Sequence, residues 1–180
     1  LLSAFQSVTP RTAGFNTADL TALSETGKTL TIGLLLIGGS PGSTAGGMKT
    51  TTAAVLVACA VAVFRRRENG RFFGRRIADD TVKNAITVFL MYISLFLLGG
   101  MIISRVENLP ILTCLFETAS AIGTVGLTLG ITPGLHLISK LILISLMFLG
   151  RIGGLTLIFA TLSANKNTLS KLPLEKITVG

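Results

Sequence analysis

Along the chain, long apolar runs alternate with short polar or glycine-rich interruptions. Leu1 to Thr9 is apolar and hydroxyl-rich, which predicts about two helical turns. It stops at Pro10, because a residue preceding proline is pushed out of the α region. Thr17 to Glu25 is polar and reads as a loop, with Asp19 or Thr21 available to cap the following helix. Thr29 to Ile37 and Thr50 to Phe64 are apolar, and Gly38-Gly-Ser-Pro-Gly-Ser-Thr-Ala-Gly-Gly-Met-Lys49 separates them. At about 1.5 Å per helical residue, neither half covers a hydrocarbon core of ~30 Å, which needs roughly 20 residues. Together they do, so the pattern predicts one span broken in its middle.

Val82 to Ile103 is an uninterrupted apolar run. Lys83 is placed to snorkel at its start, and Gly99-Gly100 near its end permits close helix contact. Arg105, Glu107 and Asn108 read as a polar turn, and Pro110 stands where a helix start tolerates proline. Ile111 to Ala121 is apolar but about half a membrane long, which predicts a re-entrant helix ending in Gly123-Thr124-Val125-Gly126. Leu137 to Leu162 is a last span with Gly150-Arg151-Ile152-Gly153-Gly154 at its centre. A displacement of 112 residues lays Thr12-Ala13-Gly14-Phe15-Asn16 on Thr124-Val125-Gly126-Leu127-Thr128, Lys28 on Lys140 and Gly38 on Gly150. One unit is thus used twice: short helix, Thr-x-Gly turn, span with a glycine centre.

Composition agrees with an integral membrane protein: 49% of the 180 residues are hydrophobic and 13% charged. The net charge of +8 comes largely from Arg65, Arg66, Arg67, Arg71, Arg75, Arg76 and Lys83, between two apolar segments. That placement follows the positive-inside rule and puts the connector, and the tail with Lys166, Lys171 and Lys176, on the cytoplasmic side against lipid headgroups or a partner. A nucleic-acid partner is not expected, since the chain has no Trp and one Tyr to stack on bases. Cys59 and Cys114 have neither metal nor disulfide spacing and read as packing residues. His136, beside Pro133 and Gly134, reads as an interfacial residue. The start at Leu1, inside an apolar pattern, points to a piece of a longer protein.

Non-helical backbone at membrane depth must be buried in protein or line a wet cavity. In the two Thr-x-Gly turns a glycine opens backbone angles closed to other residues, so successive carbonyls can face an axis and replace water around a cation. The preceding short helices would aim their negative ends there. This predicts a cation site lined by Thr12, Ala13, Gly14, Thr124, Val125 and Gly126; the alternative is ordinary turns at a membrane edge. Arg151 at mid-span costs about 2.5 to 3.5 kcal/mol on insertion scales, so it needs partners. The Gly38–Gly47 break offers free carbonyls and the hydroxyls of Ser40, Ser43 and Thr44, and the expectation is that Arg151 and this loop meet below the filter and control passage; the alternative is a snorkelling or purely structural arginine. Glu117, buried by pattern, is expected to pair with Arg11 or with nearby backbone amides. Gly42 to Thr50 comes close to the phosphate-binding pattern G-x-x-x-x-G-K-[ST], but Met48 displaces the lysine and no β-strand precedes it. No nucleophile-base arrangement is present, and no enzyme is expected.

Four stretches, Ser7-Val-Thr-Pro-Arg-Thr-Ala-Gly-Phe-Asn16, Gly38 to Lys49, Glu117-Thr-Ala-Ser-Ala-Ile-Gly-Thr-Val-Gly-Leu127 and Gly150-Arg-Ile-Gly-Gly154, closely resemble the Trk/Ktr/HKT superfamily of potassium transporters. The ending Leu172 to Gly180 is most similar to the bacterial Ktr-type membrane subunit. The resemblance implies an all-α membrane protein of membrane-pore-membrane repeats with re-entrant pore helices, the pore architecture of voltage-gated channels. Residues 1–64 would be pore helix, filter turn and broken inner helix of a third repeat, 65–81 a cytoplasmic basic connector, 82–163 the complete fourth repeat and 164–180 a cytoplasmic tail. Within the fourth repeat, 82–103 is the outer helix, 110–128 pore helix and filter, and 137–162 the inner helix.

It implies potassium uptake across the plasma membrane, the ion being a permeating ligand with nothing covalently bound. The filter would comprise Thr12, Ala13, Gly14, Phe15, Thr124, Val125, Gly126 and Leu127. The gate would comprise Gly38, Gly39, Ser40, Gly42, Ser43, Thr44, Gly46, Gly47, Lys49 and Arg151. Implied partners are the missing N-terminal repeats, a second copy in a homodimer, membrane lipid and a cytosolic nucleotide-binding ring. The other readings are a non-conducting membrane scaffold subunit and a sodium/potassium transporter of the same superfamily.

Overall fold

The computed structural model describes residues 2–11, 13–67, 70–72 and 74–153. It is mostly helical: α1 (Leu2–Val8), α2 (Glu25–Leu36), α3 (Thr50–Phe64), α4 (Asp79–Glu107), α5 (Ile111–Gly123) and α6 (Leu137–Ile152). A small hairpin, β1 (Arg71–Phe72) and β2 (Arg75–Arg76), lies in the basic connector, with Arg71 opposite Arg76, Phe72 opposite Arg75 and Gly74 at φ +78° in its turn. The connector therefore has structure of its own, and Gly70 brings the hairpin against Cys59 of α3.

The core is built around α5. Cys114, Phe116, Thr118 and Ala119 are fully buried, and α2, α4 and α6 pack on its flanks. On α4 the buried positions Ala85, Val88, Tyr92, Phe96, Gly99, Gly100 and Ile103 recur every three or four residues, one face of a helix. Gly99 and Gly100 let that face close down, because a Cβ at Gly99 would lie 2.9 Å from Leu146 Cδ1 and one at Gly100 would lie 2.5 Å from Leu115 Cδ2. The other face shows Ile86, Leu90, Leu97, Leu98, Met101 and Ile102 to the outside. A helix apolar all round suits lipid, and α4 alone among the described residues is long and apolar enough to cross a membrane. At 13 residues α5 is about 20 Å long, too short to span.

The repeat is visible in the elements. The 3₁₀ turns Leu20–Ala22 and Thr132–Gly134, and the starts of α2 and α6, are each displaced by 112 residues, as are the positive-φ glycines Gly14 (+68°) and Gly126 (+90°). Several local expectations are corrected. Ser24, not Asp19 or Thr21, caps α2 by accepting the Gly27 N–H at 3.1 Å. Asp19 caps the 3₁₀ turn instead; the Thr21 hydroxyl and N–H that donate to it hold its carboxyl below the usual range. Arg105 and Glu107 continue α4, which ends at Asn108 in the left-handed region (φ 54°). The expected inner helix 137–162 is described as far as Ile152; its remainder, the tail, Gly154 and Thr12 lie outside the described residues.

Candidate functional site

The turn after α1 is organised by Thr9, which is buried. Its carbonyl accepts the Gly14 N–H at 3.1 Å, and its hydroxyl donates to the Phe15 carbonyl at 2.7 Å. The turn after α5 begins at Thr124, which is left-handed at φ 52° and whose N–H donates to Ala121 O at 3.0 Å, while the Val125 N–H donates to Ser120 O at 3.0 Å. The two turns come together at Gly14. A Cβ there would collide with the Val125 carbonyl oxygen, so only glycine permits this approach. Ala13 and Gly126 are exposed, whereas Val125 and Leu127 are buried; Phe15, equivalent to Leu127 in the repeat, is 69% exposed.

Beneath the second turn sits the break between α2 and α3. Its neck is an isolated parallel bridge between Ile37 and Met48, with Met48 N–H donating to Leu36 O at 3.2 Å, Gly38 N–H to Met48 O at 2.8 Å and Thr50 N–H to Gly39 O at 3.2 Å. Parallel pairing this close in sequence requires the chain to double back between the two passes. The returning segment reaches the second turn: Gly46 N–H donates to Thr124 Oγ1 at 3.1 Å, and the Gly47 N–H donates to Gly150 O of α6 at 3.3 Å. Glycines make room, since a Cβ at Gly46 would strike the Thr124 side chain, one at Gly38 the Gly46 carbonyl, and one at Gly150 the Ile122 carbonyl.

The structure brings Arg151 to this loop. Its Nη1 donates to the Thr44 carbonyl at 2.7 Å, a backbone acceptor rather than one of the Ser40, Ser43 or Thr44 hydroxyls. Lys49 Nζ donates to the flanking carbonyls, Ser43 O at 3.1 Å and Ala45 O at 2.6 Å. Loop and α6 together line an open cleft of about 320 Å³ to which both cations contribute. Ser40 and Gly42 are exposed, whereas Gly39 is half-buried at the neck, packed against Ser43 and Ala45.

Glu117 is 4% exposed. Its Oε1 accepts the Leu129 N–H at 3.0 Å and the Thr128 hydroxyl at 2.5 Å, and its Oε2 accepts the Thr132 hydroxyl at 2.8 Å. The pairing with Arg11 is not made: Arg11 is exposed, and the segment following the second turn folds back over Glu117 and satisfies it. Sequence reasoning missed Glu107, whose side chain is only 5% exposed. It ties α4 to α6 by accepting the His136 N–H at 2.8 Å, pairing with His136 Nδ1 at 2.8 Å and accepting the Ser139 hydroxyl. It also missed the Thr124 hydroxyl as the link between turn and loop. Among the described residues no three His, Cys, Asp or Glu side chains cluster as metal ligands.

The sequence family TrkH, described as "Cation transport protein", matches residues 1–169. The chain is 44% identical, over 98% of its length, to the potassium/sodium uptake protein NtpJ of Enterococcus hirae, of which it covers 40%. It is 41% identical over 88% of its length to Ktr system potassium uptake protein B of Bacillus subtilis, covering 36% of that protein. The protein of the same name from Vibrio alginolyticus is 34% identical over 100% of this chain and covered to 39%. The chain thus spans about two fifths of the length of these curated relatives.

Proposed function

Since the chain belongs to the TrkH family of cation transport proteins, and is on that account a membrane protein, we propose that it contributes two quarters of a potassium-uptake pore. In this reading potassium is the transported substrate. It sheds water at the Thr-x-Gly turns, is held by backbone carbonyls of residues 12–15 and 124–127, and passes a gate made by the loop Gly38–Gly47 with Lys49 and Arg151. The observation that carries the reading is the meeting of the two repeated turns, Gly14 against the Val125 carbonyl, with the loop tied to the second turn through Thr124. Carbonyls on adjoining turns are the ligand set that suits a dehydrated monovalent cation. The α5 dipole adds negative potential at the C-terminal end from which the second turn departs.

The protein completing this pore is the rest of the same polypeptide, in keeping with the share of the relatives that the chain spans. Further proposed partners are a second copy, membrane lipid and a cytosolic nucleotide-binding ring, in keeping with relatives named as parts of a Ktr system. The basic connector and the tail would face the cytoplasm. One relative is named a potassium/sodium uptake protein, which supports a second reading in which sodium also passes.

Rubidium and sodium uptake by the full-length protein, with and without Gly126→Asp, tests both. Gly126 has φ +90°, so Asp strains the turn as well as adding a carboxylate. The expected result is loss of selective rubidium uptake. Unchanged selective uptake would overturn the filter assignment, and absence of rubidium uptake by the parent protein would favour the non-conducting scaffold.

A further inference from the structure

Lys49 stands in an electrostatically wrong place. It is the cap residue at the start of α3, where the helix macrodipole is positive, and it makes no side-chain cap bond. The loop from Gly38 to Thr50 contains no acidic residue, so no carboxylate within it draws the ammonium in. What holds it is carbonyl oxygen: Ser43 O and Ala45 O accept from Nζ, and the intervening Thr44 O accepts from Arg151. Three successive carbonyls are each engaged by a cationic side chain, and the cleft beside them is lined by both cations.

Arginine and lysine differ in such a place. The guanidinium is planar and directional, whereas an ammonium is a compact point charge whose coordination by carbonyls resembles that of an alkali cation. We infer that the Ser43 and Ala45 carbonyls form a monovalent-cation site which the Lys49 ammonium occupies as a tethered competitor for the passing ion. This rests on the gate reading of the loop and deepens it. Arg151 anchors the tip; Lys49 is the replaceable ligand, and a potassium ion arriving from the turns above displaces it. Occupancy by Lys49 holds the loop closed at low ion concentration.

The test toggles the charge in one folded protein. Full-length protein carrying Lys49→Cys, with Cys59→Ala and Cys114→Ala, is reconstituted in liposomes and its rubidium flux measured before and after thiol modification. One reagent attaches an aminoethyl group, which restores an ammonium, and the other a neutral methyl group, each through a disulfide. Loss of the ammonium is expected to raise flux about tenfold, the population shift that follows loss of a charge-assisted hydrogen bond. The aminoethyl adduct should bring it back down, and the methyl adduct should leave it high. In crystals of Lys49→Met, thallium(I) should bind at the Ser43 and Ala45 carbonyls, where the parent binds none. Equal flux with both adducts, or no change in flux on loss of the lysine, overturns the inference. Deletion of residues 40–45 then separates the two ideas. If the deletion raises flux while Lys49→Cys does not, the loop is a gate without a tethered ion; if neither changes flux, the gate reading falls as well.

Discussion

Glu117 is the residue whose sequence context misleads most. A buried carboxylate asks for a cation, and Arg11 is the nearest candidate in the repeated turn, yet three neutral donors from Leu129, Thr128 and Thr132 satisfy it. Removing the carboxylate strands the buried Leu129 N–H at a cost of about 1–3 kcal/mol. Glu117→Ala should therefore lower the stability of the full-length protein in detergent by that order, while Arg11→Ala leaves it within about 0.5 kcal/mol, as for an ordinary surface change. Thermal unfolding of the two variants decides between a neutral clamp and an ion pair. The carboxylate's burial was legible from its apolar neighbours, and so was a backbone amide as the alternative to Arg11, which Leu129 supplies; the Thr128 and Thr132 hydroxyls were not, because a donor 11 to 15 residues downstream is fixed by how the turn folds back. Arg151 was more legible: a mid-span arginine needs acceptors, and a glycine-rich break at the equivalent level supplies them. That its acceptor is the Thr44 carbonyl rather than a hydroxyl is a matter of loop geometry that no spacing encodes.

Among helices and loops, glycines divide by what a side chain would meet. Gly123, at the end of α5, faces the Leu35 carbonyl of α2, and backbone cannot move aside. Gly123→Ala should cost about 1–3 kcal/mol by overpacking. Gly33, in the interior of α2, has nothing within 4 Å of its would-be Cβ, so Gly33→Ala should raise stability by about 0.5–1 kcal/mol through helix propensity. Opposite shifts in the unfolding midpoint are the expected result, and shifts of the same sign would contradict this packing of α2 on α5. The helices themselves were readable from hydrophobic length, the break between α2 and α3 from its proline and glycines, and the shortness of α5 from the length of its apolar run. The hairpin at residues 71–76 was not, since two-residue strands of Arg-Phe and Arg-Arg carry neither alternation nor a β-branched run.

Across the whole molecule, exposed apolar side chains and basic charge occupy different regions. Leu98, Met101, Leu141, Ile144 and Phe148 cover the outer faces of α4 and α6, while the arginines gather where α3 leads into α4. Such an arrangement orients in a membrane by its arginines. Replacing Arg65, Arg66, Arg67, Arg71, Arg75 and Arg76 by glutamine should lower the fraction inserted with the connector inside. Labelling of a cysteine introduced at Gly74 with a membrane-impermeant reagent on intact and opened cells measures that fraction. An unchanged ratio would show that other segments set the orientation. The repeat was visible at this scale from a handful of aligned residues, and the recurrence of turns and helix starts at the same displacement gives it structural form.

The parallel bridge between Ile37 and Met48 has a consequence for how this loop can change over time. Because backbone bonds close the neck, the separation of α2 from α3 is set there and not by the length of what lies beyond. Residues 40–45 are a side branch. Insertions or deletions among them alter the tip's reach toward Arg151 and Lys49 without pulling on either helix, so the segment is free to vary in length where the helices around it are not.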